Sequence, residues 1–198
     1  MVDLLRMTKQ FQAVDDRESE VAYFRTNLPW VAPLAYLNVI YKPAPTELLK
    51  HGRQLLNLPE PVTDFLAQQN GAILFSGALN VYGVVHPDQL LNRAAPLSLP
   101  PYSLFDENRS WSLSEPERFL IIGGYGFDGS RICIDRASSE IYLFDRHDGE
   151  LRQSAAAMWS SLDEWLASEI PRIASIFDET GHRCGDESAT VPRKQKPN

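Results

Sequence analysis

The chain has 198 residues, 43% of them apolar, and a formal net charge of −7. That size and composition suit one domain with a sizeable core, and no apolar run approaches the roughly 18–20 residues of a membrane span. So acidic a body is poorly suited to nucleic acid, whose phosphates need Lys and Arg; its charge either steers a basic partner or only keeps the chain soluble, and sequence leaves both open. The segment from His182 to Asn198 holds four basic and two acidic residues, so residues 1–181 are more acidic than the whole.

The N-terminus, "MVDLLRMTKQFQ", lacks the continuous apolar stretch and small-residue cleavage site of a signal peptide. Without secretion signals, the two cysteines fit a reduced, cytoplasmic setting: Cys133 reads as a small core residue, and Cys184 lies in a polar tail. The spacing of Val21, Phe24 and Leu28 predicts a helix within an N-terminal extension over residues 1–41. "WVAPLAYLNVIYKPAP" reads as extended. Pro45 and Thr46 open a helix whose Leu48, Leu49, Leu55 and Leu56 share a face, and Pro59 ends it. A second helix opens at Pro61, buries Val62, Phe65 and Leu66, and closes at Asn70-Gly71.

From there the period changes to that of strands. "AILFSGALNVYGV" reads as two short strands turning at Gly77. A long proline-rich connection with one helical turn leads to four closely spaced strands: "RFLIIG", "RICID", "IYLFD" and "ELRQSA". Asp148-Gly149 between the last two is a strong hairpin signal. Ser161 and Glu164 fit a capping box for a last helix with Leu162, Trp165, Leu166 and Ile170 on its apolar stripe, broken or kinked at Pro171. Residues 178–198 are polar and charged and are expected to be disordered. Tight turns between strands force antiparallel pairing, so the fold class is α+β with a mostly antiparallel sheet.

Gly124-x-Gly126-x-x-Gly129 matches a phosphate-binding fingerprint by letter. A dinucleotide loop needs a helix after the glycines, but "SRICID" alternates as a strand. A kinase-type loop needs a lysine on a following strand, and no lysine lies between Lys50 and Lys194. The turn therefore reads as a glycine-rich connection in which several positions need positive φ. His51, His86, His147 and His182 share no metal-ligand spacing, and no nucleophile elbow is present, so neither metal, cofactor nor catalytic residue is expected. Asn108-Arg109-Ser110 matches a glycosylation acceptor that only a secreted chain would use. Asp106 and Glu107, with Glu115 and Glu117, gather around the connection that holds Trp111, and Asp128 stands beside Tyr125 and Phe127 in the glycine turn. Aromatics beside carboxylates on loops suit a partner surface; folding back as lids on the core is the other reading, and sequence leaves both open.

A series of short motifs resembles the SUKH superfamily, also called the Smi1/Knr4 family. These are Leu58-Pro59, Asn70-Gly71, Tyr82-Gly83, Ile122-Gly123, Asp135 and Trp165-Leu166, in that order, across roughly residues 42–170. The resemblance implies one domain over 42–177, with an antiparallel sheet and helices packed on one side. It implies no catalytic residues and a protein-binding role. Most bacterial members look like immunity proteins that neutralise a cognate toxin, often a nuclease or deaminase; some eukaryotic members are regulatory scaffolds. The candidate partner-binding residues are Asp106, Glu107, Trp111, Tyr125, Phe127 and Asp128, facing a basic toxin domain, with no direct nucleic-acid or membrane contact.

Overall fold

In chain order the elements are β1 (Ala13–Asp16), β2 (Glu20–Tyr23), β3 (Asn38–Tyr41), α1 (Thr46–Leu56), α2 (Glu60–Leu66), β4 (Ala72–Leu74) and β5 (Leu79–Val81). There follow α3 (Leu104–Ser110), β6 (Ser112–Leu113), β7 (Phe119–Tyr125), β8 (Arg131–Asp135), β9 (Ile141–His147), β10 (Glu150–Trp159) and α4 (Leu162–Ala174). The computed structural model describes residues 4, 13–16, 20–23, 38–85, 101–147, 150–177 and 184. The strands form one sheet in the order β1-β2-β3-β4-β5-β7-β8-β9-β10-β6. All pairings are antiparallel except β10 with β6. The chain is thus α+β with a mostly antiparallel sheet. Among the described residues no helix is long and apolar enough to cross a membrane.

The N-terminal expectation is corrected. Glu20–Tyr23 is a strand, not a helix, and pairs along its length with β3, from Glu20 with Tyr41 to Tyr23 with Asn38. Three apolar residues at helical spacing are too few to separate the two periods, and here strand pairing decides. Since β3 also pairs with β4, the sheet runs across the boundary expected at residues 41 and 42. The expected disordered tail lies outside the described residues except Cys184, whose N–H donates to the Ile176 carbonyl. Cys133 and Cys184 are free thiols.

Strand β7 is buried along its whole length, so it reads as a continuous apolar run rather than an alternation. Its adjacent glycines show what covers each face. A Cβ on Gly123 would lie 2.9 Å from the Trp165 ring of α4; one on Gly124 would lie 2.8 Å from the Tyr82 hydroxyl and 3.1 Å from Arg131. Neighbouring strand residues point to opposite faces, and Arg131 pairs with Glu107 of α3. The Glu107 side chain of α3 therefore reaches the face of β7 opposite to the one that Trp165 of α4 covers. In α1, Leu48, Leu49 and Leu56 pack on the core, whereas Leu55 is exposed. Helix α4 buries Leu162, Trp165, Leu166, Ile170 and Ile173 and runs through Pro171, which lies on its exposed side. The Ser161 hydroxyl accepts from the Glu164 N–H, while the Glu164 carboxylate returns to the N–H of Ser160 rather than that of Ser161.

Two asparagines extend the sheet with their side chains. The Asn70 amide donates to the Val84 carbonyl at 2.9 Å and accepts from the Val84 N–H at 2.8 Å. The Asn108 amide does the same for Ile121, at 2.8 and 2.9 Å. Each satisfies two backbone groups that a neighbouring strand would otherwise have to meet. Because its amide is spent in this way, Asn108 is poorly placed as a glycosylation acceptor.

Asp135 closes β8. Its carboxylate accepts from the Ala137 and Ser138 N–H groups and from Arg118 Nε at 2.6 Å. Burial raises its pKa, but the Arg118 hydrogen bond and the two backbone donors more than offset this, and the carboxyl sits below its ordinary range. A depressed carboxyl contributes stability that is fully present above its unfolded value of about 4 and is lost as pH falls through the folded value. Asp135→Asn is expected to cost about 1–2 kcal/mol near neutrality. Denaturation midpoints of the two proteins should converge as pH is lowered from about 7 to about 2; a gap that persists in acid would assign the loss to packing instead.

Candidate functional site

The glycine turn joins β7 to β8, as the sequence implies, but it offers no cradle for a phosphate. The Gly126 N–H donates to the Ala78 carbonyl and the Tyr125 N–H to that of Ser130. The Ser130 N–H and hydroxyl both donate to Asp128 Oδ1, at 2.8 and 2.6 Å. The N–H groups of Tyr125, Gly126 and Ser130 are thus already spent within the fold. Of the turn's glycines only Gly129 has positive φ, at +75°. The others serve close approach, because a Cβ on Gly126 would fall on the Gly77 carbonyl. This corrects the expectation of several positive-φ positions.

Tyr125 is also corrected. Its side chain is fully buried on the α4 face, so it belongs to the core and not to a partner surface. The hydroxyl donates to Glu169 at 2.5 Å and accepts from Trp165 Nε1 at 3.4 Å. Glu169 in turn holds Arg172 through two bonds of 2.9 and 2.6 Å. Burial, then the Glu169 charge, push the Tyr125 phenol well above its ordinary range. Phe127, one residue beyond the start of the turn, is 48% exposed. Asp128 is exposed as well.

On the opposite face α3 and its C-cap bring together residues that are distant in sequence. Glu107 accepts from Arg131 Nε at 2.9 Å and from Trp111 Nε1 at 3.1 Å. Arg131 also donates to the Gly129 and Ser130 carbonyls, at 2.7 and 3.3 Å, tying the turn to this cluster. The Arg131 and Arg146 guanidinium carbons lie 4.8 and 5.1 Å from the centre of the Trp111 ring. Buried Tyr82 completes the group, its ring 5.8 Å from half-exposed Tyr102. Burial pushes the Tyr82 phenol far up; Glu107 adds to this and Arg131 opposes it. Asp106 takes no part and pairs with Arg109 at 2.7 Å.

The fold therefore unites Glu107 and Trp111 with the base of the glycine turn, leaves Phe127 and Asp128 at its tip, and removes Tyr125 and Asp106 from the constellation. The sequence reading missed Arg131 and Arg146. Their signal was a cation at the start of one strand and the end of the next, positions that antiparallel pairing brings to one end of the sheet. Chemically, these groups form a cluster of a tilted tyrosine pair and an indole beneath two guanidinium groups. Cys133 is buried, and burial raises its thiol well above the range of a reactive nucleophile. Among the described residues no three His, Cys, Asp or Glu side chains are grouped to hold a metal ion. No protein-family model matches the chain, and no curated protein matches it.

Proposed function

We propose that the chain is a non-enzymatic protein-binding domain of the SUKH kind, acting as an immunity protein that occupies and neutralises a basic toxin domain. The observation that carries the reading is the braced turn: exposed Phe127 and Asp128 stand on a connection whose carbonyls are held by Arg131, itself held by Glu107. A rigid aromatic beside a carboxylate loses little conformational entropy on binding and has the composition of an interface anchor. The net charge of −7 speeds encounter with a cationic partner. The motif residues support the fold half of this reading. Gly83 packs directly on the Asn70 backbone, Asn70 holds Val84, Gly123 admits Trp165, and Asp135 caps its turn. Those motifs thus act as a packing code that leaves the surface free to vary.

Co-expression with any toxin encoded upstream of the gene tests this directly, and the lack of a neighbouring toxin gene would itself refute it. Protection of growth supports the reading, and killing that proceeds regardless refutes it; recovery of several housekeeping proteins and no toxin would favour a regulatory scaffold. Within a complex, Phe127→Ala combined with Asp128→Asn is expected to weaken binding by about 2 kcal/mol or more. Asparagine keeps the acceptor for Ser130, so the turn survives and the thermal midpoint stays near that of the parent. Unchanged affinity by calorimetry would take the turn out of the interface.

A further inference from the structure

We propose that Arg146, stacked on Trp111, is the docking point for a carboxylate side chain of a protein partner. Among the described residues five other arginines meet a carboxylate: Arg109 with Asp106, Arg118 with Asp135, Arg131 with Glu107, Arg152 with Glu150 and Arg172 with Glu169. Arg136 instead caps the Leu56 and Asn57 carbonyls, and Arg53 reaches the Thr63 hydroxyl. Arg146 is exposed and makes no ion pair among the described residues; its guanidinium lies against the Trp111 ring. Arg53 and Arg136 are thus spent on oxygen acceptors within the fold, whereas the contact shown for Arg146 is the face of a ring.

The ring beneath it is fixed in advance. Trp111 Nε1 is bonded to Glu107, and the same carboxylate oxygen neutralises Arg131 on the ring. The arrangement thus contains two cations on one indole, of which Glu107 pairs with Arg131. Stacking leaves the guanidinium edge, with its paired N–H groups, open to a bidentate acceptor. Trp and Arg at the centre of a surface are the side chains that most often dominate binding. The site is continuous with the glycine turn, since a Cβ on Gly129 would lie 3.7 Å from Arg146 Cδ. A single guanidinium with no ion pair among the described residues matches one carboxylate. A polyphosphate would meet a body of net charge −7, which favours a protein over nucleic acid.

This inference rests on the protein-binding reading but not on the identity of the toxin. Its test uses the full chain, labelled with ¹⁵N, and an acetylated, amidated Glu-Leu-Glu-Leu peptide as probe. Saturable shifts are expected at the Arg146 Nε–H and the Trp111 indole N–H, with a Kd on the order of millimolar. Arg146→Gln should weaken binding by about tenfold or more, Arg146→Lys should retain part of it, and a Gln-Leu-Gln-Leu peptide should give no shifts. An absence of shifts, or shifts that survive Arg146→Gln, would overturn the proposal. So would a stronger response to oligothymidylate, which would make the site a phosphate contact. Failure here leaves the growth-protection experiment standing, because that experiment does not depend on where the partner docks.

Discussion

Trp165→Ala is expected to destabilise the protein by about 3–5 kcal/mol, the largest loss from any single side chain considered. Trp165 is fully buried among the largest core side chains. Its ring fills the space left by the missing side chain of Gly123, and its Nε1 donates to the Tyr125 hydroxyl. Truncation therefore opens a cavity against a strand with no side chain to fill it, and it removes a donor from the Tyr125–Glu169–Arg172 network. Urea denaturation should show a lowered midpoint with an unchanged slope, and the thermal midpoint should fall by roughly 10 °C. A loss below about 1 kcal/mol would show that α4 does not depend on this contact.

Asn70→Leu should rank next, at about 2–4 kcal/mol, because it leaves both the N–H and the carbonyl of Val84 without their partner. Val84 is fully buried, so no water replaces the amide cheaply. Asn70→Asp separates the two bonds: the carboxylate still accepts from the Val84 N–H but cannot donate to its carbonyl. An intermediate loss is expected there. Amide hydrogen exchange supplies a local readout, since Val84 should lose protection in Asn70→Leu and keep much of it in Asn70→Asp. Equal losses in both variants would mean that the amide acts through shape and not through hydrogen bonding.

Much of the architecture is legible from the order of turn residues. Gly77 and Pro45 lie where local chemistry places them, and Gly77 takes a φ of +86°; α2, however, ends at Leu66 with right-handed Ala67 as its cap, so Gly71, at φ +89°, turns the chain into β4 and does not close the helix as the sequence suggests. Ser161 caps α4 because a short polar side chain before an apolar stripe has one good use. The N-terminal strands were not legible, because Glu20–Tyr23 is too short for periodicity and its partner, β3, lies beyond a long intervening stretch. The candidate surface was half legible. Phe127, Asp128, Glu107 and Trp111 stand out by composition, but whether an aromatic in a glycine turn faces inward depends on the face it falls on. Tyr125, two residues from Phe127, is buried by α4, and nothing local distinguishes the two. Arg131 and Arg146 join the cluster only through pairing between strands, which no single stretch of sequence records.

The clamps at Gly83 have a consequence for how the gene can change. The Gly83 N–H donates to the Tyr102 carbonyl, the Gly83 carbonyl accepts from the Leu104 N–H, and Gly83 bridges to Ser103. Asn70 holds the chain one residue later, at Val84. Gly83 and Val84 are therefore tied to Tyr102–Leu104 and to Asn70 by bonds made among these residues themselves. For a loop tied in this way each doubling of length costs only about 0.6 kcal/mol. A longer or shorter connection between Val85 and Pro101 is therefore expected to leave this junction of the sheet in place.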